Sequence, residues 1–233
     1  MRKSIKVILF FVLVFLLFTG ALMWLKEYAK ADIRESVKSD VLKDFEVSDK
    51  ESSFSAAYEV PSDDYLTVPG EDGSPDLNVF GNWIKIARHL AGPDDDDTKV
   101  LHLAAVIEIP SLGIEEPVWV EDSLLAMRYG VILMSGFASL DEEGNSVIVG
   151  HRSLTTSKHF WNLTDIDAED AVIITTPDGT EHKYRVSGTY YCSPFDLQDY
   201  LETPDGCSKQ VTLVTCAKER GNSWRFIVTL VPC

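Results

Sequence analysis

The chain has 233 residues, is 45% hydrophobic and 25% charged, and carries a formal net charge of −16. That length holds one domain of ordinary size plus flanking segments. Five of the 21 basic residues and only one of the 37 acidic residues precede residue 31. The remainder is therefore strongly acidic, which argues against a nucleic-acid or anionic-lipid binder.

Arg2, Lys3 and Lys6 lead into an uncharged apolar stretch from Val7 to Leu25. At 1.5 Å per residue it reaches roughly 28 Å, close to the ~30 Å hydrocarbon core of a bilayer. The leading positive charges keep the N-terminus in the cytoplasm. Residues 1–6 thus read as a cytoplasmic tail, residues 7–25 as a single-pass membrane anchor, and everything later as extracellular. A cleavable leader is the alternative, because Ala29-Lys30-Ala31 is an A-x-A-like site; the apolar region of a leader is shorter, ~7–15 residues. Either way the rest is exported.

Residues 26–100 read as stalk and linker. Ile33, Val37, Val41, Leu42 and Phe45 are sparse apolar positions among many charges, which suits a helical or flexible stalk. Glu51–Asp76 is rich in Ser, Asp, Pro and Gly and reads as linker. Val79–Leu90 is a short amphipathic helix candidate, with Val79, Trp83, Ile86, Ala87 and Leu90 on one face. Asp94–Asp97 lacks the alternating ligands and the glycine of a calcium loop and reads as solvated.

From residue 101 the texture becomes short β-branched or aromatic runs bounded by Pro, Gly, Asp and Asn. The predicted strands are Leu103–Ile109, Pro117–Val120, Val131–Met134, Ser146–Gly150, Ala171–Thr175, Glu181–Tyr191, Gln210–Thr215 and Trp224–Val231. Two short helices fit between them, Ser123–Tyr129 and Ser157–Leu163. Eight strands at this spacing predict a mainly β fold, a closed or nearly closed barrel over residues 101–233.

Three strand ends carry chemistry. Thr212-Leu213-Val214-Thr215 ends on Cys216, Val147-Ile148-Val149-Gly150 ends on His151, and Arg225 is the second residue of the last strand-like run, which begins at Trp224. A thiol, an imidazole and a guanidinium are the parts needed for acyl transfer from a peptide carbonyl. Each has a plainer reading. Cys216 can be a core thiol or pair with Cys233, and spacing alone leaves nucleophile and disulfide evenly matched. Cys192 and Cys207 enclose 14 residues, and in an exported protein we expect a bridge between them. His151 differs from His89, His102, His159 and His182 because it ends an apolar strand after Gly150, a residue that permits close approach of another backbone. The other four read as surface or satisfied core histidines, and His159 falls on the predicted short helix Ser157–Leu163. Arg225 lies on the face opposite Trp224 and Phe226, and its plainer role is an ion pair with a surface carboxylate. The chain has no CxxC or HxxxH spacing and no glycine-rich phosphate loop, so no metal or cofactor is expected.

The TLxTC strand, the upstream histidine and the downstream arginine together resemble the sortases, the cysteine transpeptidases of the Gram-positive cell surface. Ile109-Pro110 and the Gly-Asn-x-Val-Ile-x-Gly-His-Arg run at residues 144–152 fit the same pattern. The resemblance implies an eight-stranded sortase-type barrel with Cys216 as nucleophile, His151 as acid and base, Arg225 as oxyanion donor and Thr215 as a substrate contact. It implies an LPxTG-like sorting signal on another secreted protein as substrate, and an amine on peptidoglycan or a pilin as acceptor. The connection from Cys216 to Arg225 and the run after His151 are most similar to the pilin-building, class C, group. That group's Asp-Pro-aromatic lid triplet and second membrane helix have no counterpart in this sequence. Two other functions stay open: a hydrolase that releases surface proteins, and a catalytically silent binding module.

Overall fold

The computed structural model describes residues 2–48, 57–61, 98–152, 159–202, 208–217 and 224–233. Nine strands appear among them: β1 (Ala57–Pro61), β2 (Thr98–Ile109), β3 (Ile114–Trp119), β4 (Val131–Leu133), β5 (Gly144–Val149), β6 (Ala171–Thr175), β7 (Glu181–Cys192), β8 (Lys209–Cys216) and β9 (Arg225–Pro232). The neighbours run β2-β3-β4-β5-β8-β9-β7-β6, and β6 pairs back onto β2 to close an eight-stranded barrel. The pairs β3–β4 and β5–β8 are parallel and the others antiparallel. All eight predicted strands are present, with ends shifted by a few residues. β1 falls within the segment read as linker and pairs with the first half of β2, Pro61 opposite Thr98. Its Ser- and Asp-rich surroundings hid a five-residue strand whose Val60 is fully buried.

Side-chain alternation sorts the barrel strands into two cores. Ile107, Val118, Ile148, Leu213, Phe226 and Val228 point inward to the barrel interior. Val147, Val149, Val214 and Ile227 point to the opposite face, where Trp119, Leu101, Val60 and a long helix cover them. β5 and β8 are thus buried on both faces, which is why they read as continuous apolar runs.

That long helix, α1, spans Arg2–Ser48. Its C-terminal half is not a free stalk. Val37, Val41, Leu42 and Phe45 recur at three- and four-residue spacing and pack on the outer core, while Ile33 stays exposed. Among the described residues no helix is long and apolar enough to cross a membrane, and the side chains of residues 7–9 lie outside the described set. The first predicted short helix contracts to α2 (Ala126–Tyr129). The second is replaced by turns at residues 159–162 and a 3-10 turn, Leu163–Asp165. The Val79–Leu90 helix and Asp94–Asp97 lie outside the described residues.

Candidate active site

Strand register brings the three chemistry-bearing residues into one row. β5 and β8 run parallel, with Gly144 opposite Lys209 and Val149 opposite Val214. The bond from Gly150 N–H to the Val214 carbonyl, 3.1 Å, continues that pairing. The same offset sets Gly150 beside Thr215 and His151 beside Cys216. On its other side β8 is antiparallel to β9, and Cys216 faces Arg225. Arg225 in turn faces Cys192 at the end of β7. His151, Cys216, Arg225 and Cys192 therefore lie side by side across adjacent strands, each step about 5 Å.

Strand alternation decides which way they point. Cys216 follows Val214 by two residues and Arg225 precedes Ile227 by two, so both project to the outer face. Phe226 is on the inner face against Tyr191, as its neighbour position predicts. A small cleft on the outer side is lined by Met127, Val149, Gly150, His151, Val214, Thr215, Cys216 and Arg225. Met127, from α2, forms its apolar wall. Cys216 is partly exposed, so its thiol is reachable from solvent.

Arg225 is only 2% exposed, so it is not a surface arginine. Its Nη1 donates to the Trp224 carbonyl at 3.2 Å. Burying a guanidinium is costly unless acceptors meet it, and Arg225 lines the same cleft as Cys216. Thr215 behaves differently from a simple substrate contact. It is 2% exposed, and its hydroxyl donates to the Gly150 carbonyl at 2.9 Å. That bond ties β8 to the residue immediately before His151.

Cys192 is a near neighbour with the opposite character. Burial pushes its thiol up to about 11, Asp196 adds to the effect, and Arg225 opposes it without prevailing. It stays a protonated core thiol. It is also free, which corrects the expected Cys192–Cys207 bridge. Its side chain belongs to the outer core with Leu197, Leu201 and Val214. Cys207 itself lies outside the described residues.

The space around Gly150 is filled by side chains. A Cβ on Gly150 would lie 2.6 Å from the Phe160 ring and 2.7 Å from a Val131 methyl. The close approach predicted at this glycine is real, but an aromatic ring makes it and not a backbone. The Phe160 N–H donates to the His151 carbonyl at 3.1 Å. Arg152 Nε donates to the Trp161 carbonyl at 2.8 Å, and its Nη2 donates to Thr164 Oγ1 at 3.1 Å. The chain before and after residues 153–158 is thereby held together.

The remaining histidines separate by partner. His102 Nδ1 lies 2.5 Å from Glu121 at the surface, and His182 lies 3.7 Å from Asp141. His159 is a core histidine and not a surface one: it is 2% exposed and its Nδ1 meets Glu116 Oε2 at 2.9 Å. Neither Glu116 nor its other partner, Lys38 of α1, stood out in the sequence. The one signal was the pair Glu115-Glu116 between the apolar residues of Ile114–Trp119. Met127 had no signal beyond helical spacing. Among the described residues no cluster of three or more His, Cys, Asp or Glu is placed to hold a metal ion.

Known proteins share this fold. The Sortase domain family model matches residues 107–232, just over half of the chain. Sortase A of Bacillus anthracis is 28% identical over 127 residues, covering 52% of this chain and 56% of that protein. The chain thus spans about half the length of the curated relative it matches. Sortase C1 of Streptococcus agalactiae, solved in complex with MTSET, is 27% identical with a TM-score of 0.50, covering 55% of this chain and 68% of that one. A lid mutant of sortase A from Corynebacterium diphtheriae is 20% identical with a TM-score of 0.52, covering 89% and 93%; that likeness speaks to fold alone.

Proposed function

The chain belongs to the sortase family, and from that premise we propose that it is a membrane-anchored cysteine transpeptidase. The observation that carries the proposal is the row His151–Cys216–Arg225 on neighbouring strands of one cleft. Cys216 gives its S–H proton to His151 as Sγ attacks the backbone carbonyl of a sorting signal, and a tetrahedral oxyanion forms. The Arg225 guanidinium donates hydrogen bonds to the carbonyl oxygen as charge develops on it. His151 gives a proton to the leaving amine, and a thioester to Cys216 remains. An incoming amine then attacks the thioester and loses a proton to His151, a new amide forms, and the departing Sγ takes the proton back from His151 to restore the thiol. Thr215 contributes by holding the Gly150 carbonyl, so it acts on the site through backbone position.

The substrate of this reading is an LPxTG-like signal near the C-terminus of another secreted protein. The acceptor is an amine on peptidoglycan or on a pilin lysine, and the pilin-building group is favoured by the residues after His151. The barrel faces the outside of the cell and residues 7–25 anchor it. That anchor is supported by 19 uncharged residues in succession and by the outward display of Phe10, Phe11, Phe15 and Phe18, each more than 60% exposed. Incubating the protein with a sorting-signal peptide, with and without an amine, tests the reaction. A ligated product supports the transferase; free acid alone makes it a hydrolase. No turnover leaves a binding module.

A further inference from the structure

A buried charged network lies outside the cleft and ends on the segment that carries His151. Glu116 lies on the same face of β3 as Ile114 and Val118 and is 2% exposed. Its Oε1 lies 2.6 Å from Lys38 Nζ of α1 and its Oε2 lies 2.9 Å from His159 Nδ1. Burying a carboxylate in a barrel wall is costly unless both oxygens are met, and both are. His159 is the only non-glycine with positive φ among the described residues, at 26°, so its backbone is held in a conformation most side chains avoid. The next residue, Phe160, is fully buried, donates its N–H to the His151 carbonyl and sets its ring against Gly150. One residue, Phe160, and one backbone bond therefore separate the network from His151.

We propose that Lys38, Glu116 and His159 form a latch that positions His151, so that the helix leading from residues 7–25 is a working part of the active site. The latch rests on the reading of His151 as general acid and base. Glu116 touches no reacting atom and is a positioning residue. It fixes His159, His159 fixes the turn, and Phe160 fixes the backbone of His151. Lys38 supplies the opposing charge from α1. A proton-transfer group displaced by about 1 Å loses on the order of 100-fold in rate, and such displacement lowers kcat while leaving peptide binding intact.

The test uses the full chain in detergent micelles and a fluorogenic LPxTG-type peptide, with kcat and KM measured separately. Glu116→Gln keeps the shape and removes the charge, and should lower kcat by about 10-fold to 100-fold with KM within about twofold. Lys38→Met should give a smaller loss in kcat alone, and Lys38→Arg should restore most of it. A folded Glu116→Gln with wild-type kcat overturns the latch, as does a loss expressed wholly in KM. If circular dichroism shows that Glu116→Gln does not fold, Lys38→Met decides, because that side chain is partly exposed: unchanged kcat overturns the proposal. His151→Ala separates the two readings. Turnover surviving in it refutes the functional reading, whereas its loss beside fully active latch variants refutes only the latch.

Discussion

Gly150→Ala isolates how tightly the residue before His151 is built in. The new Cβ would lie 2.6 Å from Phe160 Cδ2 and 2.7 Å from Val131 Cγ1, where ordinary contact begins at 3.4 Å. Neither neighbour can move into solvent, since Phe160 and Val131 are both fully buried. The glycine cannot back away either, because its N–H is bonded to Val214 and its carbonyl to Thr215. Its φ is outside the left-handed region, so an alanine meets a volume problem and not a backbone one. Overpacking of this kind costs about 1–3 kcal/mol, and reduced freedom of the unfolded chain returns about 0.4–1 kcal/mol. The net is a loss of roughly 1–2 kcal/mol, or about 3–6 °C in melting temperature for a domain of this size. Because Phe160 must shift, its bond to His151 shifts with it, and peptide turnover should fall by about tenfold. Thermal melts by circular dichroism and steady-state peptide cleavage measure both effects. A melting temperature and turnover equal to wild type would refute the reasoning.

Cys216→Ala should abolish thioester formation, seen as loss of the acyl-enzyme mass, while the melting curve is nearly kept, since a small side chain at a strand end packs little. Substantial turnover in that variant would remove Cys216 as nucleophile. Arg225→Lys should lose most activity because an ammonium cannot reproduce the fork of donors; near-normal kcat/KM would mean that Arg225 only satisfies structure. Asn145 accepts from Thr212 Oγ1 at 2.9 Å and donates to the Leu201 carbonyl at 2.8 Å, so Asn145→Ala strands two buried partners and should cost about 2–4 kcal/mol in urea unfolding; a loss below 0.5 kcal/mol, about half a typical hydrogen bond, would contradict that. For Glu116, burial raises its carboxyl but His159 and Lys38 together outweigh it, leaving it below the usual range. Its stabilisation is therefore complete above its unfolded value of 4.5 and lost as pH falls through the lower folded value. Urea midpoints of wild type should drop more steeply in that acid window than those of Glu116→Gln, and parallel curves would refute the linkage.

The barrel was legible because its strands bury one or both faces, and burial writes itself into local pattern. β5 and β8 show continuous apolar runs, and β6 and β7 are bounded by Pro177-Asp178-Gly179, where Gly179 takes φ 82°. β1 was not legible, because five residues among Ser and Asp carry too little pattern, and their burial depends on Trp119 and Leu101 far along the chain. Cys192 was misread for a related reason: its spacing to Cys207 says nothing about which way β7 turns its last side chain.

The residue types at the strand ends, Cys216, His151 and Arg225, were determined by the sequence alone, since a motif is a matter of order along the chain. That they form one row required the offset between β5 and β8 and the pairing of β8 with β9, both set by barrel closure. The role of His159 shows the division most sharply. Its sequence neighbours, Lys158 and Phe160, say nothing of Glu116, 43 residues away, or of Lys38, 78 residues from that glutamate. Local sequence reports propensity and periodicity, because those depend on adjacent residues. Which charges meet inside the wall depends on long-range packing, and only the tertiary structure decides it.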